Sequence, residues 1–332
     1  QDFHSGHRIG DVPLVAGTSW LEYARAAGHH VHGKQQFLIA NAHYPSFCYL
    51  EEVDQESIHL NVALNVHEIT ITSQRASVIG PLEHARMLPT FALPGTRHSM
   101  LHVERARSQL QAPHCSREEY YAALGNHFRG EFRRFLECWT CPTGQEVLGC
   151  VEFADMSTRP HLRACAWMDG CNNCGLFLGR QANSAESGAT ARRESVVNSA
   201  FHGRPFFALS LESVEMLCTS PLQTRKMWSF CRVATEEVNL HNSSGTRVML
   251  FLGGKSTTAD PGWLEGKRLQ RHLYCIQWTS TAGNAVEQPT LLLCHSSSVF
   301  SGVACPYIQG LTDKLPRGCK LTMVLKMALF SG

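Results

Sequence analysis

His7-Arg8-Ile9-Gly10-Asp11-Val12-Pro13-Leu14-Val15-Ala16-Gly17-Thr18-Ser19-Trp20-Leu21-Glu22 sets one imidazole and a tight glycine turn just ahead of an amphipathic run. Residues 18–27 carry Trp20, Leu21, Ala24 and Ala27 at helical spacing behind two N-cap residue types, Thr18 and Ser19, with Gly28 as the expected stop. The first backbone N–H groups of such a helix have no partner within it and lie at the positive end of its dipole. A thioester oxygen docked near Gly17 would be polarised there, and His7 could reach a substrate held at the helix start. Taken alone, a histidine before a glycine turn is more often a solvated loop residue than a base.

The chain has 332 residues, 43% of them hydrophobic, enough to bury a large core in two or three folded units. A formal net charge of +2, with 17% charged residues, leaves no basic stretch interleaved with aromatics and so no footprint for nucleic acid. The longest apolar runs, residues 248–252 and 291–294, fall far short of a membrane span, and no charged-then-apolar leader opens the chain. These features predict a soluble, cytoplasmic protein with no nucleic-acid or membrane partner. Gln1 rather than Met at the first position suggests a segment of something larger. The 14 cysteines, scattered along a chain without a secretion signal, favour reduced, half-buried thiols over a disulfide scaffold.

Beyond the first helix, Val62, Leu64 and Val66 alternate with polar residues, and Ile69 and Ile71 resume the alternation out of phase. This predicts one strand with a bulge or two strands. Further strands are expected over residues 99–103, 134–139, 145–153, 206–217, 227–233 and 247–252. The polar stretch 108–116, with Pro113, is the best internal linker. After it, residues 117–124 are expected to form a helix begun by Ser116, with Glu118 and Glu119 in its first turn. Residues 183–199, rich in Ser, Ala, Gly and Arg, read as an exposed loop. After Pro261 the pattern changes. Strands are expected over 273–278, 290–293 and 320–325, and partial helix over 300–315, the opening of an α/β unit. That unit has no G-x-G-x-x-G turn, so nothing in it argues for nucleotide binding.

In order, these pieces resemble the dehydratase domain of type I polyketide synthases and related fatty-acid synthases, over nearly the whole chain. The family has a His followed nine and ten residues on by Pro-Gly, then a helix with Tyr or Trp, Leu and Glu. Here His7 is followed by Ala16 and Gly17, then Trp20-Leu21-Glu22, with the family's intervening Gly one place early at Gly10. Residues 118–133 are similar to the start of the family's second half, where Phe132 keeps the end of a Tyr-Gly-Pro-x-Phe turn and Phe128 stands for its Tyr. Residues 167–177 are similar to the Leu-Leu-Asp-Ala-x-x-Gln helix, with Asp169 at the catalytic position and Asn173 for the Gln. Residues 207–214 are similar to the following Leu-Pro-x-x-Ile-x-x-Val strand, with Ala208 for Pro. Residues 271–278 are similar to the Leu-Tyr-x-x-x-Trp that begins a reductase-type structural region.

The resemblance implies an α+β double hotdog, two fused curved antiparallel sheets each wrapping a helix. It divides the chain into an N-terminal hotdog at 1–108, a linker at 109–118, a C-terminal hotdog at 119–265 and the incomplete start of a reductase-like structural region at 266–332. It also implies elimination of water from a β-hydroxyacyl thioester carried on the phosphopantetheine arm of an acyl carrier protein, with neighbouring synthase domains, a homodimeric parent and no cofactor. His7 would be the base and Asp169 the acid, its pKa raised by burial with Trp167, Met168, Leu176 and Phe177 as candidate apolar neighbours. Gly17, Asn173, Gly10 and Phe128 would bind substrate. Asn173, one helical turn beyond Asp169, would orient the carboxyl, though Asn is a methylene shorter than Gln and activity would suffer if it fell short.

Other readings stay open on the residues. Without the family context Asp169 reads as a helix-face carboxylate paired with an Arg. The Cys138/Cys141 and Cys171/Cys174 pairs have the spacing of a four-thiolate zinc site, the second pair also that of a redox dithiol, and a cluster of His29, His30 and His32 reads most simply as a solvated loop. We expect no metal. The functional alternative is an inactive or isomerase-type dehydratase-like binding module, favoured by the departures at Ala16, Phe128, Arg129, Gly130 and Asn173 and opposed by the retention of both His7 and Asp169.

Overall fold

The computed structural model describes residues 3–32, 37–50, 58–65, 67–75, 80–90, 100–110, 116–141, 145–153, 160–186, 206–217, 224–258, 273–274, 290–296 and 320–326. It divides into a unit of residues 1–259 and a unit of residues 260–332.

The first unit contains β1 (Arg8–Ile9), β2 (Val12–Pro13), α1 (Gly17–His32), β3 (Phe37–His43), β4 (His59–Leu64), β5 (Ile69–Gln74), β6 (Leu82–Thr90), α2 (Val103–Gln109), α3 (Arg117–Leu124), β7 (Phe135–Thr140), β8 (Glu146–Glu152), α4 (Pro160–Glu186), β9 (Phe206–Met216), β10 (Lys226–Arg232), β11 (Glu237–Asn242), β12 (Arg247–Leu252) and β13 (Lys255–Thr258). Apart from the β1–β2 hairpin, its strands form one sheet in the order β4-β5-β6-β3-β9-β12-β11-β10-β8-β7, with β13 also on β9. Every pairing in that sheet is antiparallel. The seam between its halves is the β3–β9 ladder, where Ile39 faces Val214. Helix α1 packs on β3, β4 and β5, helix α4 packs on β7, β8, β10 and β11, and the two helices pack on each other. Two antiparallel half-sheets, each with one long helix, make a double hotdog.

Alternation explains which faces are buried. Ile69 and Ile71 of β5 point into the core with Ile39, Met87, Val214 and Leu240, while Thr70 between them is only half-buried. Residues 62–71 are two strands, β4 and β5. The Asn65 side-chain oxygen accepts from the backbone N–H groups of His67 and Glu68 at 2.8 and 2.7 Å, which turns the chain between them. Val66 lies outside the described residues. Strand β8 is buried on both faces, because Leu148 and Cys150 meet a second cluster containing Ala106, Leu110, Trp139 and Trp228.

That second cluster corrects one expectation. Ser99 lies outside the described residues, and residues 100–103 are not a strand: Met100 makes an isolated bridge to Thr246, and α2 begins at Val103 and buries Ala106 against the cluster. Helix α3 starts where expected, with a reciprocal capping box between Ser116 and Glu119, and ends on Gly125 at φ +64°. Of the expected linker 109–118, Gln109 closes α2, Arg117 and Glu118 open α3, and residues 111–115 lie outside the described residues.

Helix α1 differs at both ends from the sequence expectation. It runs through Gly28, which is buried, to His32, so tertiary packing outweighs the roughly 1 kcal/mol that glycine costs inside a helix. His29 and His30 are exposed on its last turn rather than in a loop. Thr18 lies inside the helix and its hydroxyl donates to the Cys165 carbonyl oxygen of α4 at 3.1 Å. Helix α4 extends to Glu186, so residues 183–186, expected as loop, are helical, while 187–199 lie outside the described residues.

In the second unit β14 (Leu273–Tyr274) runs antiparallel to β15 (Thr290–Ser296), and β15 runs parallel to β16 (Lys320–Lys326), with Thr290 facing Lys320. The expected continuation of the first strand over 275–278 and the partial helix over 300–315 lie outside the described residues. Among the described residues no helix is long and apolar enough to cross a membrane.

Candidate active site

His7 leaves a short turn, His4–Gly6, and enters the β1–β2 hairpin. Gly10 takes φ +57° at the first position of that hairpin's two-residue turn, a conformation glycine adopts without steric cost. The Arg129 backbone N–H donates to the Gly6 carbonyl oxygen at 2.8 Å, and a β-carbon on residue 6 would lie 2.6 Å from the Arg129 oxygen. Only glycine permits that approach, which seats residues 126–132 against the His7 turn. The imidazole packs against Phe128 and Phe132 at centroid distances of 5.2 and 5.3 Å.

The hairpin also settles the orientation of the ring. The Leu14 carbonyl oxygen lies 3.1 Å from His7 Nδ1. A carbonyl can only accept, so Nδ1 carries the proton and Nε2 presents its lone pair. Nε2 lies 3.7 Å from Oδ1 of Asp169 in the middle of α4, and both side chains are 8% exposed. The Asn173 side-chain N–H, one helical turn on, donates to Asp169 Oδ2 at 2.9 Å. The shorter asparagine therefore reaches its carboxylate in full.

Burial sets the charge of both groups. Desolvation holds His7 down to about 3, with the Leu14 hydrogen bond opposing it in part. Desolvation pushes Asp169 up to about 7, against the opposing hydrogen bond from Asn173. Near neutral pH the pair is a neutral imidazole facing a carboxyl that keeps its proton in a large fraction of molecules.

The two groups line one cavity of about 50 Å³, walled also by Gly17, Phe128 and Asn173 and by Ile9, Leu14, Val15, Tyr44, Phe47, Asn126, Asn172, Phe207, Ala208 and Leu211 among others. Gly17 is the first residue of α1, so the amino end of that helix opens on the cavity. Of the residues expected to bind substrate, Gly10 is not in the wall. It instead bridges to Asn126, which is. Trp167 and Met168 are core residues that do not line the cavity, because neighbouring positions on a helix point in different directions. The apolar wall around Asp169 comes from the other elements named above. The side chains of Leu176 and Phe177 lie outside the described ones.

Neither a protein-family model nor a curated protein matches the sequence. Solved structures do. The dehydratase domain from the CurF module of curacin polyketide synthase matches with a TM-score of 0.61 at 14% identity, over 78% of this chain and 89% of that one. An inactive mutant of the CurK dehydratase gives 0.62 at 10% identity over the same shares. The dehydratase domain of a mycocerosic acid synthase-like polyketide synthase gives 0.60 at 15% identity, over 78% and 88%. The chain has the fold of the polyketide synthase dehydratase domains.

Within that dehydratase fold, sequence reasoning missed Tyr44, Asn126 and Asn172 as cavity residues. Tyr44 and Asn126 belong to no motif, and Asn172 is hidden inside the Cys171-x-x-Cys174 pair. Cys138, Cys171 and Cys174 are buried in the apolar core, and among the described residues no three His, Cys, Asp or Glu side chains converge as metal ligands.

Proposed function

We propose that this chain is a β-hydroxyacyl thioester dehydratase acting on chains carried by the phosphopantetheine arm of an acyl carrier protein, beside other domains of a synthase. Residues 266–332 would begin a neighbouring reductase-like region, and the parent synthase would be a homodimer. The observation that carries the reading is the lone pair of His7 Nε2 standing 3.7 Å from the carboxyl of Asp169 in the wall of one cavity.

In this reading Nε2 takes the α proton of the substrate, the electron pair becomes the Cα=Cβ bond, and the β C–O bond breaks as Asp169 gives its proton to the leaving hydroxyl. Water leaves. Burial disfavours a charge on either group alone, but the elimination ends with imidazolium and carboxylate together, and opposite charges at this separation stabilise each other. Proton return from His7 to Asp169 resets the pair. The Gly17 N–H at the start of α1 would receive the thioester oxygen as negative charge grows on it. The reaction consumes no cofactor.

Two CurK dehydratase structures support the pairing of roles, since both are described as inactive mutants, one with a His changed to Phe and the other with an Asp changed to Asn. The test is intact-protein mass spectrometry of carrier protein loaded with a β-hydroxyacyl chain, incubated with this protein and with its His7→Ala variant. Loss of one water with the parent and not the variant is expected. No loss across several chain lengths and both hydroxyl configurations would overturn the reading.

A further inference from the structure

Three hydroxyl groups line the cavity, those of Thr18, Tyr44 and Ser46. Two have committed their protons, Thr18 to the Cys165 carbonyl oxygen and Ser46 to the Glu83 carbonyl oxygen. The Tyr44 hydroxyl is sealed from solvent and has no hydrogen-bond partner among the described residues. A buried hydroxyl left in that state costs about 1–3 kcal/mol, a cost that a bound polar ligand would remove.

The position of Tyr44 says which ligand atom it meets. It follows β3, and its backbone N–H donates to the Leu209 carbonyl oxygen of β9 at 3.0 Å, so two strands hold it. Its ring stands over the first residue of α1: a β-carbon on Gly17 would lie 3.6 Å from Tyr44 Cε2 and 3.7 Å from Cζ, the carbon that bears the hydroxyl. Burial pushes the phenol above its ordinary pKa, so the group remains a donor. The other unpartnered polar atom on the wall, Asn172 Oδ1, can only accept and cannot serve a carbonyl.

We propose that the Tyr44 hydroxyl donates a hydrogen bond to the thioester carbonyl oxygen of the bound acyl group, forming with the Gly17 N–H a two-donor oxyanion site. The inference rests on the acyl-thioester reading above and makes Tyr44 a catalytic residue of that reaction. No covalent step is added. The phenol keeps its proton while negative charge rises and falls on the oxygen it faces.

The test separates the oxyanion site from the elimination. Isotope-edited infrared spectroscopy reads the carbonyl stretch of a β-hydroxyacyl pantetheine thioester labelled with ¹³C at the carbonyl, bound to the His7→Ala protein, which does not turn it over. The stretch is expected to move to lower frequency on binding and to recover much of that shift when Tyr44→Phe is added. In the protein with His7 intact, Tyr44→Phe is expected to lower kcat roughly ten- to a hundredfold with KM within about twofold and with the melting temperature equal to or above the parent's, since the unpartnered hydroxyl is removed. A carbonyl band at its solution frequency in both proteins, or a shift that survives loss of the hydroxyl, overturns the proposal even if the parent dehydrates its substrate. A Tyr44-dependent shift in a chain whose parent form loses no water would leave the carbonyl site standing and remove the dehydratase reading.

Discussion

His7 Nε2 and Asp169 Oδ1 face each other across 3.7 Å, with the far nitrogen of the ring fixed on Leu14 and the far oxygen of the carboxyl fixed on Asn173. Each group thus turns one polar atom to the other and its second atom to a partner close to it in the chain. A neutral imidazole and a carboxyl with a raised pKa follow from one cause, desolvation by burial.

Removing either member should abolish the reaction and leave the fold. Asp169→Asn replaces a carboxyl by an amide of nearly the same shape and should reduce dehydration at least a hundredfold. His7→Ala should do the same while costing about 1–3 kcal/mol for the lost contacts with Phe128 and Phe132. Turnover assays with urea melts on the same samples check both, and full activity in either variant contradicts the assignment.

The pH dependence has a defined sign. A folded-state pKa of about 3 for His7, below the ordinary 6.5, means its contribution to stability is complete above pH 6.5 and is lost as pH falls towards 3. Asp169 is the reverse. Raised from 3.8 to about 7, its contribution is complete below pH 3.8 and is lost as pH rises through 7. Asp169→Asn should therefore stabilise the protein at pH 8, by up to about 4 kcal/mol, with the gain vanishing near pH 4. The cost of His7→Ala should shrink over the range from pH 6.5 to 4. In the parent, kcat/KM should fall about tenfold per pH unit above 7, as Asp169 loses its proton.

Asn173 tests orientation apart from proton transfer. Its hydrogen bond favours the ionised carboxyl, so Asn173→Ala should move the alkaline limb of the kcat profile upward and lower its plateau roughly tenfold through loss of orientation. Asn173→Gln should retain the limb if the longer amide still reaches Asp169. A pH profile unchanged by Asn173→Ala would separate Asn173 from the acid.

The contact between α4 and the sheet depends on a missing side chain. A β-carbon on Gly149 of β8 would stand 1.9 Å from the Cys174 sulfur, and 3.3 Å from its β-carbon. Gly149→Ala should destabilise the protein by about 1–3 kcal/mol, and Cys174→Ala added to it should restore most of the loss. Urea midpoints of the two single variants and the double variant give the coupling. Additive effects would show that the helix moves away at little cost.

Several elements were legible because their causes are local. The Ser116–Glu119 capping box and Gly125 delimit α3, and the alternation at Ile69 and Ile71 marks a half-buried strand, since a side-chain period of two or a cap needs only near neighbours. The His7, Gly17 and Asp169 positions were found through motif resemblance, and the structure brings them to one cavity. The ends of α1 were misjudged because propensity at Gly28 lost to burial. Residues 100–103 were misjudged because half-buried Leu101 and Val103 pack against the cluster of Trp139 and Trp228 at the start of a helix while Met100 stays exposed, a partnership no local pattern records.

The sequence by itself determined most of the strands and the caps of α3, because hydrophobic period and capping are properties of the chain order, while the double hotdog and the pairing of His7 with Asp169 were implied only by the family resemblance. Only the tertiary structure decided that His7 presents Nε2, that Asp169 is buried enough to hold its proton, that Asn173 reaches it, and that an uncommitted Tyr44 hydroxyl stands over Gly17. Those are matters of distance and desolvation. They depend on which surfaces exclude water together, and the chain order does not contain that until it is folded.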